Sequence, residues 1–113
     1  MSKPLVYIAG PLSSGWLPDN IRHAVNMAEL VYQLGAVPFV PHTLGTLWEF
    51  IEPHPHEFWM ELCLSYLRRC DGLVRIPGES TGADMEVAFA REHGIPVFIA
   101  KSGTRIDHFI EGL

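Results

Sequence analysis

Residues 78–90, GESTGADMEVAFA, bring hydroxyl groups, glycines and carboxylates together at the start of a predicted helix. The apolar run at 72–77 precedes them and has the pattern of a buried strand. Backbone N–H groups in the first turn of a helix bind anions, and their field favours an ionised carboxylate. Glu86 therefore has the properties of a carboxylate nucleophile, with the hydroxyl of Ser80 and the open backbone of Gly82 nearby. The alternative is an ordinary turn and a surface glutamate.

A carboxylate beneath a sugar can take up the anomeric carbon or stabilise an oxocarbenium-like transition state. Such chemistry usually needs a second group that protonates the departing base. By position the candidates for that group are Asp71, Asp84, Glu61 and Tyr7. Asp84 lies two residues before Glu86 and points elsewhere on the helix, so it is interpreted as part of a capping signal with Thr81.

A second polar loop, GPLSSGWLP at 10–18, follows the apolar run at 4–9. It is long for a connection between a strand and a helix, and long loops in compact domains often carry function. The loop leaves the carboxyl end of a strand, where parallel sheets bind their ligands. Ser13, Ser14 and Gly15 are therefore candidates to contact a phosphate or a sugar, with a solvated loop as the alternative.

The segment at 41–55, PHTLGTLWEFIEPHP, is rich in proline, histidine and aromatic residues. It is predicted to be irregular apart from a turn of helix at 47–51. Trp48 and Phe50 could cover a planar base, since each aromatic–base contact contributes ~1–3 kcal/mol. A satellite core or a subunit interface is the alternative for these aromatic side chains.

The histidines offer a metal-binding alternative. His54 and His56 form an H-x-H pair, with His42, Glu57 and Glu61 as further possible ligands. Zinc needs three or four converging ligands, and no Cys or His pair has a standard structural-zinc spacing. The histidines are therefore interpreted as loop residues, and neither a metal nor an organic cofactor is expected. A metal-dependent hydrolase stays open as a third interpretation.

The elements that must position these groups alternate along the chain. The predicted strands are 4–9, 36–40, 72–77 and 95–100; the predicted helices start at Asp19 or Asn20, at 56, at 81 and at 105. This alternation predicts an α/β fold, flavodoxin-like or Rossmann-like, with a parallel sheet of about four strands in the order 2-1-3-4 and helices on both faces. In that order the loop after Ala9 faces the loop after Ile76 across one crevice. Pro38 predicts that the second strand lies at an edge.

Composition limits the partners. The chain has 113 residues, which predicts one domain over 1–113, and its 48% hydrophobic and 19% charged residues are typical of a globular protein. A formal net charge of −5 argues against binding of polymeric nucleic acid. Cys63 and Cys70 are seven apart on one predicted helix, too far for a disulfide. With no signal peptide and no long apolar run, a cytoplasmic protein that does not enter a membrane is expected.

Four motifs in register resemble the nucleoside 2-deoxyribosyltransferase-like superfamily. Residues 7–11 (YIAGP) match the opening Y-x-A-G-P pattern of that family. Residues 70–74 (CDGLV), the pair Ser80 and Glu86, and residues 94–98 (GIPVF) match its second half in the same order. The resemblance covers nearly the whole chain, about residues 5–100.

The resemblance implies that Glu86 is the nucleophile. The transferases of the family carry an aspartate at the place of Ser80, whereas a serine there is similar to the branch that hydrolyses nucleoside 5′-monophosphates. Catalytic roles are therefore expected for Glu86 and Tyr7. Substrate binding is expected from Gly10, Pro11, Ser13, Ser14, Trp48, Cys63, Ser80 and Gly82. The resemblance also implies a homodimer or higher homo-oligomer that binds a small nucleoside or nucleotide, with sites completed by a neighbouring chain.

Cys63 departs from the family pattern. The family usually has an aspartate eight residues before Asp71, and that place is Cys63 here. A thiol is a poor general acid and cannot hold a hydroxyl or a base as a carboxylate does. Beside the metal-dependent hydrolase, two functions consequently stay open: an N-glycosidic hydrolase or transferase, and a nucleotide-binding or regulatory module of the same fold with impaired catalysis.

Overall fold

A computed structural model describes residues 2–113 of the chain, so that Met1, the first residue of the predicted domain, lies outside the described residues. Strands and helices alternate along most of it. Their bounds are β1 (Leu5–Ala9), α1 (Leu17–Gln33), β2 (Val37–Phe39), α2 (Pro41–Ile51), α3 (His56–Leu67), β3 (Gly72–Arg75), α4 (Thr81–Glu92), β4 (Val97–Ile99) and α5 (Ile106–Glu111).

The four strands form one parallel sheet in the order β2-β1-β3-β4. The predicted α/β class and strand order are confirmed. Tyr7 pairs with Phe39 on one side and Leu73 on the other, and Ala9 pairs with Arg75. β2 is at an edge, as Pro38 predicts, because proline has no N–H to donate to a further strand.

Alternation along the strands divides the core between the two faces of the sheet. Val6, Ile8 and Val74 lie on the face that α1 and α5 cover. Tyr7 and Leu73 lie on the face that α3 and α4 cover. All five of these side chains have no exposed surface, so the two central strands hold the interior together.

The segment at 41–55 contains the largest departure from the sequence prediction. Residues Pro41–Ile51 form one continuous helix, where only a turn at 47–51 was expected. Pro41 occupies the first helical position, where a missing N–H costs nothing and the fixed φ is already helical. The helix ends at Ile51, and its C-cap Glu52 has an extended φ of −141°, because a residue that precedes a proline disfavours helical geometry.

Two predicted helix boundaries also need correction. α1 begins at Leu17, with Trp16 as its N-cap and Pro18 in its first turn, so neither Asp19 nor Asn20 caps it. α3 ends at Leu67. Cys70 therefore lies beyond the helix that carries Cys63, and both thiols are free. Over residues 2–113, no helix combines the length and the apolar character needed to cross a membrane.

Candidate active site

Glu86 points from α4 into the protein and meets the side chain of Tyr7. The Tyr7 hydroxyl donates a hydrogen bond to Glu86 Oε2 at 2.5 Å. Glu86 shares the buried side of α4 with Ala83, Val87 and Ala90, which recur at helical spacing and face the sheet. Glu86 is 8% exposed and Tyr7 is fully buried, so this carboxylate is an interior group and not a surface one.

Burial raises the pKa of Glu86 to about 7, while the hydrogen bond from Tyr7 and the charge of Arg75 act in the opposite direction. Burial therefore opposes the helix N-terminus, whose field was expected to favour the ionised form of Glu86. Glu86 lies six residues after the N-cap, and the field of a helix end falls off within the first turn. Desolvation is the stronger effect, and the carboxyl exchanges its proton near neutrality.

Tyr7 stays protonated. Burial, and then the charge of Glu86, raise the pKa of the Tyr7 hydroxyl far above its ordinary value. The Tyr7 hydroxyl therefore donates its proton to Glu86 Oε2, and the other carboxylate oxygen is free of this bond.

Cys63 completes a cluster with these two groups. It projects from α3 and packs against the same core as Tyr7. Burial and the charge of Glu86 raise the pKa of the Cys63 thiol, while the nearby Tyr7 hydroxyl lowers it. The structure thus brings together Tyr7, Cys63 and Glu86 from a strand and two helices, and we call them the Tyr7–Cys63–Glu86 cluster.

The loops after β1 and β3 are in contact at the carboxyl edge of the sheet, as the strand order predicts. Ile76 N donates to Ala9 O at 2.8 Å. A Cβ on Gly10 would overlap the Ile76 side chain, and one on Gly78 would lie 2.6 Å from Pro11 Cγ. Gly78 also has a φ of +120°, a conformation open to glycine. Both glycines therefore let the loops approach each other.

His42 forms a hydrogen bond that holds the loop after β1 in place. Its Nε2 lies 3.0 Å from Pro11 O, so Nε2 carries the proton and donates it to that carbonyl. His42 is 3% exposed, and burial lowers its pKa. Sequence reasoning treated His42 as a loop residue or a metal ligand and missed this contact. The available signal was Pro41, which starts a helix at the end of β2 and places His42 in its first turn.

Ser80 is the N-cap of α4, one residue before the predicted capping position at Thr81. Its Oγ accepts a hydrogen bond from Ala83 N at 3.0 Å, which leaves the Ser80 hydroxyl proton available to a ligand. A Cβ on Gly82 would meet no atom within 4 Å. The first turn of α4 consequently borders open space.

Arg75 is the second residue that sequence reasoning missed. It ends β3 on the same face as Tyr7 and is 9% exposed. Its guanidinium donates to Ile76 O at 2.6 Å, to Gly78 O at 2.9 Å and to Asp84 Oδ1 at 2.9 Å. Asp84 is thus an ion-pair partner and not the predicted helix cap. A charged residue at the end of an apolar run was the available signal.

Ser13 and Ser14 are exposed, in the loop between β1 and α1. The side chain of Asn20 shapes this loop by donating to Leu12 O at 2.9 Å and to Ser14 O at 2.7 Å. Both hydroxyls therefore stand on a loop whose backbone is held from the first turns of α1.

Trp48 belongs to a separate aromatic cluster between α2 and α3. Its ring meets those of His54, Phe58 and Trp59 edge-on, with centroids 5.4–6.3 Å apart. Glu49 stabilises the cluster by accepting hydrogen bonds from Trp59 Nε1 at 2.5 Å and from His54 N at 3.0 Å. These contacts make a satellite core, and the role of Trp48 in covering a base stays a prediction.

The remaining candidate acids lie elsewhere. Asp71 Oδ2 accepts from Leu5 N at 2.8 Å, at the amino end of β1 and away from the loops. Glu61 is exposed on α3. Within residues 2–113, no three His, Cys, Asp or Glu side chains converge as a metal site would require.

A cavity of about 560 Å³ opens on another flank of α4. Its lining includes Val87, Ala88 and Arg91 of the helix and Ile99 and Ala100 at the end of β4. Neither Glu86 nor Tyr7 lines it. The cavity and the Tyr7–Cys63–Glu86 cluster are therefore different features of the molecule.

The parallel sheet and its helices have the architecture of 2-deoxyribosyltransferases. The 2-deoxyribosyltransferase of the psychrotolerant bacterium Bacillus psychrosaccharolyticus superposes with a TM-score of 0.63 at 20% identity, covering 94% of this chain and 79% of that one. The 2-deoxyribosyltransferase of Leishmania mexicana gives 0.65 at 21% identity, covering 90% and 67%.

A family model described as a domain of unknown function, DUF4406, matches residues 4–99, and the chain belongs to this family. The search of curated proteins returned no match.

Proposed function

We propose that the protein is a one-domain enzyme that cleaves the N-glycosidic bond of a nucleoside or a nucleoside 5′-monophosphate, with Glu86 as the nucleophile. The observation that carries the proposal is the hydrogen bond from the Tyr7 hydroxyl to the buried Glu86 carboxylate. A buried carboxylate with a raised pKa beside a loop-lined edge of the sheet is typical of a reactive group. The likeness to 2-deoxyribosyltransferases supports the same class of chemistry.

In this mechanism the ionised Glu86 attacks C1′ of the sugar through the carboxylate oxygen that Tyr7 does not engage. The C1′–N bond breaks, the base leaves with the bonding electron pair, and a glycosyl ester forms on Glu86. Water then attacks C1′, the ester bond to Glu86 breaks, and the sugar is released; the proton that the water loses passes through solvent to the base. Tyr7 orients the carboxylate, because its hydroxyl is fixed in a fully buried position.

The 5′ end of the substrate would lie against the two loops. The Ser80 hydroxyl, the open space at Gly82 and the free N–H groups of the first turn of α4 suit a phosphate. Ser13 and Ser14 would add hydroxyl donors, with Gly10 and Pro11 as the wall between the loops. A serine and not an aspartate at position 80 favours hydrolysis of 5′-monophosphates over base exchange.

The test is release of free base. The purified protein is incubated with ribo- and deoxyribonucleosides and their 5′-monophosphates, with and without a chelator, and free base is measured by chromatography. Release is expected, unaffected by the chelator and abolished by Glu86→Gln. Glu92→Gln, the same change at an exposed position of the same helix, is the matched control and should keep activity. Undiminished release by Glu86→Gln would refute the assignment of the nucleophile.

A second candidate function is nucleotide binding without catalysis, and Cys63 is the observation that favours it. A thiol stands beside Glu86 where the family resemblance implies a carboxylate. In that case calorimetry detects tight binding of a nucleotide, chromatography detects no base, and Cys63→Asp restores release. Base release by the unaltered protein excludes this candidate.

We further propose that the chain forms a homodimer or higher homo-oligomer through the outer side of α2. Exposed apolar side chains cluster there: Leu47 is 63% exposed, Phe50 83% and Ile51 71%. An apolar surface of this kind on one helix is typical of an interface. Light scattering should find an oligomer that Phe50→Glu dissociates, whereas Tyr32→Glu on α1 should leave it intact. A monomer at all concentrations would contradict this assembly.

A further inference from the structure

The surroundings of Glu86 limit which bases could leave. Within residues 2–113, Tyr7 hydrogen-bonds to Glu86, the charge of Arg75 acts on Glu86, and the charge of Glu86 acts on the thiol of Cys63. None of Tyr7, Arg75 and Cys63 is a carboxylic acid or an imidazole. A nucleophile of this kind usually works with a second group that protonates the departing base.

Each carboxylate that could have supplied that proton is engaged or remote. Asp84 is paired with Arg75 at 2.9 Å, and its side chain is 72% exposed. Asp71 binds Leu5 N at the opposite end of the sheet. Glu61 is exposed on α3.

Tyr7 and Cys63, the other two members of the cluster, are poor proton donors to a base. The Tyr7 proton is committed to Glu86 Oε2 in a fully buried bond. The Cys63 thiol is a weak hydrogen-bond donor on an apolar helix side. A neutral purine or pyrimidine would therefore have to leave as an anion.

We propose that the substrates are N-glycosides whose base already carries a positive charge, such as a nucleotide of an N7-alkylated purine or of an N-glycosylated pyridinium. This inference rests on the proposed function and names its substrate class. Such a base leaves as a neutral molecule, so the reaction does not need the group that the site lacks.

The reaction balances without a co-reactant other than water. A Glu86 oxygen forms a bond to C1′ as the C1′–N bond breaks, and the bonding electron pair moves onto the ring nitrogen and cancels its positive charge. Water then forms a bond to C1′, the ester bond to Glu86 breaks, and one proton passes to solvent.

Local charge agrees with a cationic substrate. The guanidinium of Arg75, whose charge acts on Glu86, is paired with Asp84 at 2.9 Å, so the Arg75–Asp84 pair as a whole has no net charge. An ionised Glu86 then leaves the cluster with one negative charge. A positively charged base is attracted to such a site, whereas a neutral base gains nothing from it.

The experiment compares substrates that differ in charge at the leaving group. 7-Methylguanosine 5′-monophosphate is set against guanosine 5′-monophosphate, and nicotinamide mononucleotide against its reduced dihydropyridine form, in ribo and 2′-deoxyribo series. Rates of base release are corrected for a blank without protein. We expect the cationic member to react at least ~100-fold faster, because a general acid contributes about 10²–10⁴-fold where one is present. The purine and pyridinium arms show which of the two bases the site accepts.

Variants at Cys63 provide an independent readout. Cys63→Asp introduces a carboxylic acid beside Glu86. It should lower the ratio of the base-release rate from cationic substrates to that from neutral substrates. Cys63→Ser introduces a side chain of similar size that is not an acid, so the ratio of the two rates should stay large. Thermal unfolding of both variants verifies that they fold.

The outcomes separate this inference from the proposed function. Equal or faster release from neutral substrates, abolished by Glu86→Gln, overturns the inference and keeps the function. Release from no substrate in either arm overturns both. A preference for cationic substrates that becomes smaller in the Cys63→Asp variant supports both the inference and the proposed function.

Discussion

Asp84 and Glu86 are two carboxylates on one helix with opposite surroundings. The Asp84 side chain is 72% exposed and is paired with Arg75 at 2.9 Å. Glu86 is 8% exposed and has a phenol as its hydrogen-bond donor. Two residues of an α-helix turn by about 200°, so the pair necessarily points to different sides. Position on the helix therefore makes Asp84 the partner in a structural ion pair and Glu86 a buried, reactive carboxylate.

The largest expected difference between the two is in activity. Glu86→Gln should lower the rate of base release by roughly 10⁴-fold or more, as loss of a catalytic group does in other enzymes. Asp84→Asn should stay within about tenfold, because a surface ion pair contributes only ~0–1 kcal/mol. Steady-state assays of both variants on one substrate measure this. Equal losses would break the distinction between the two carboxylates.

The next largest effect is that of Glu86→Gln on stability. This variant is expected to lose activity but to gain stability. The folded protein binds a proton on Glu86 up to a pKa of about 7, whereas the unfolded chain releases it near the ordinary value. Ionisation of the buried group therefore costs stability as pH rises from about 4.5 to 7. Glu86→Gln removes this cost, and its amide oxygen can still accept from Tyr7, so the variant should gain up to roughly 3 kcal/mol above pH 7.

Urea unfolding between pH 4 and pH 8 tests this gain. The two proteins should be equally stable near pH 4, and the gap should open through the window from 4.5 to 7 and then stay constant. Asp84→Asn is the control and should show no such opening. A gap that is constant from pH 4 to pH 8 would show that Glu86 is not a desolvated carboxyl.

Arg75→Met is expected to lower the stability of the fold, by a somewhat smaller amount than Glu86→Gln raises it. The change leaves Ile76 O, Gly78 O and Asp84 without their common donor, which should destabilise the fold by about 2 kcal/mol. Arg91→Met, at an exposed position of α4, is the matched control with a change near zero. Chemical denaturation measures both. If the two variants were equally stable, Arg75 would not hold the loop after β3.

The smallest effects are shifts in the pH dependence of activity. Tyr7→Phe removes a hydrogen bond that lowers the pKa of Glu86, so the midpoint of the pH–rate profile should move up. Asp84→Asn frees the charge of Arg75, which also lowers that pKa, so its midpoint should move down. Profiles of kcat/KM report these midpoints. Shifts in the same direction would contradict the assigned surroundings of Glu86.

Much of the fold follows from the sequence because its signals are local. The four apolar runs predict the strands, and the alternation with helices leaves few orders for a parallel sheet. The adjacency of the loops after Ala9 and Ile76 follows from that order. The helix at Pro41–Ile51 was missed because the proline that begins it was interpreted as part of a loop.

The candidate site was predicted less completely, since its chemistry depends on packing. The contact between Tyr7 and Glu86 joins residues 79 positions apart; the strand order and the family resemblance suggested a shared site, but neither gave the hydrogen bond itself. The pKa of Glu86 depends on burial by two helices and a sheet, which no local pattern records. The three bonds of Arg75 and the contact of His42 with Pro11 O likewise need coordinates.

The close contacts of Gly10 with Ile76 and of Gly78 with Pro11 divide the rim of the sheet into two kinds of segment. Where these glycines pack against Ile76 and Pro11, an inserted residue or a larger side chain would separate β1 from β3. Residues 12–16, which are exposed, have no such restriction. New substrate preferences, whether arising in evolution or by engineering, should therefore be acquired at 12–16 while the glycine contacts stay unchanged.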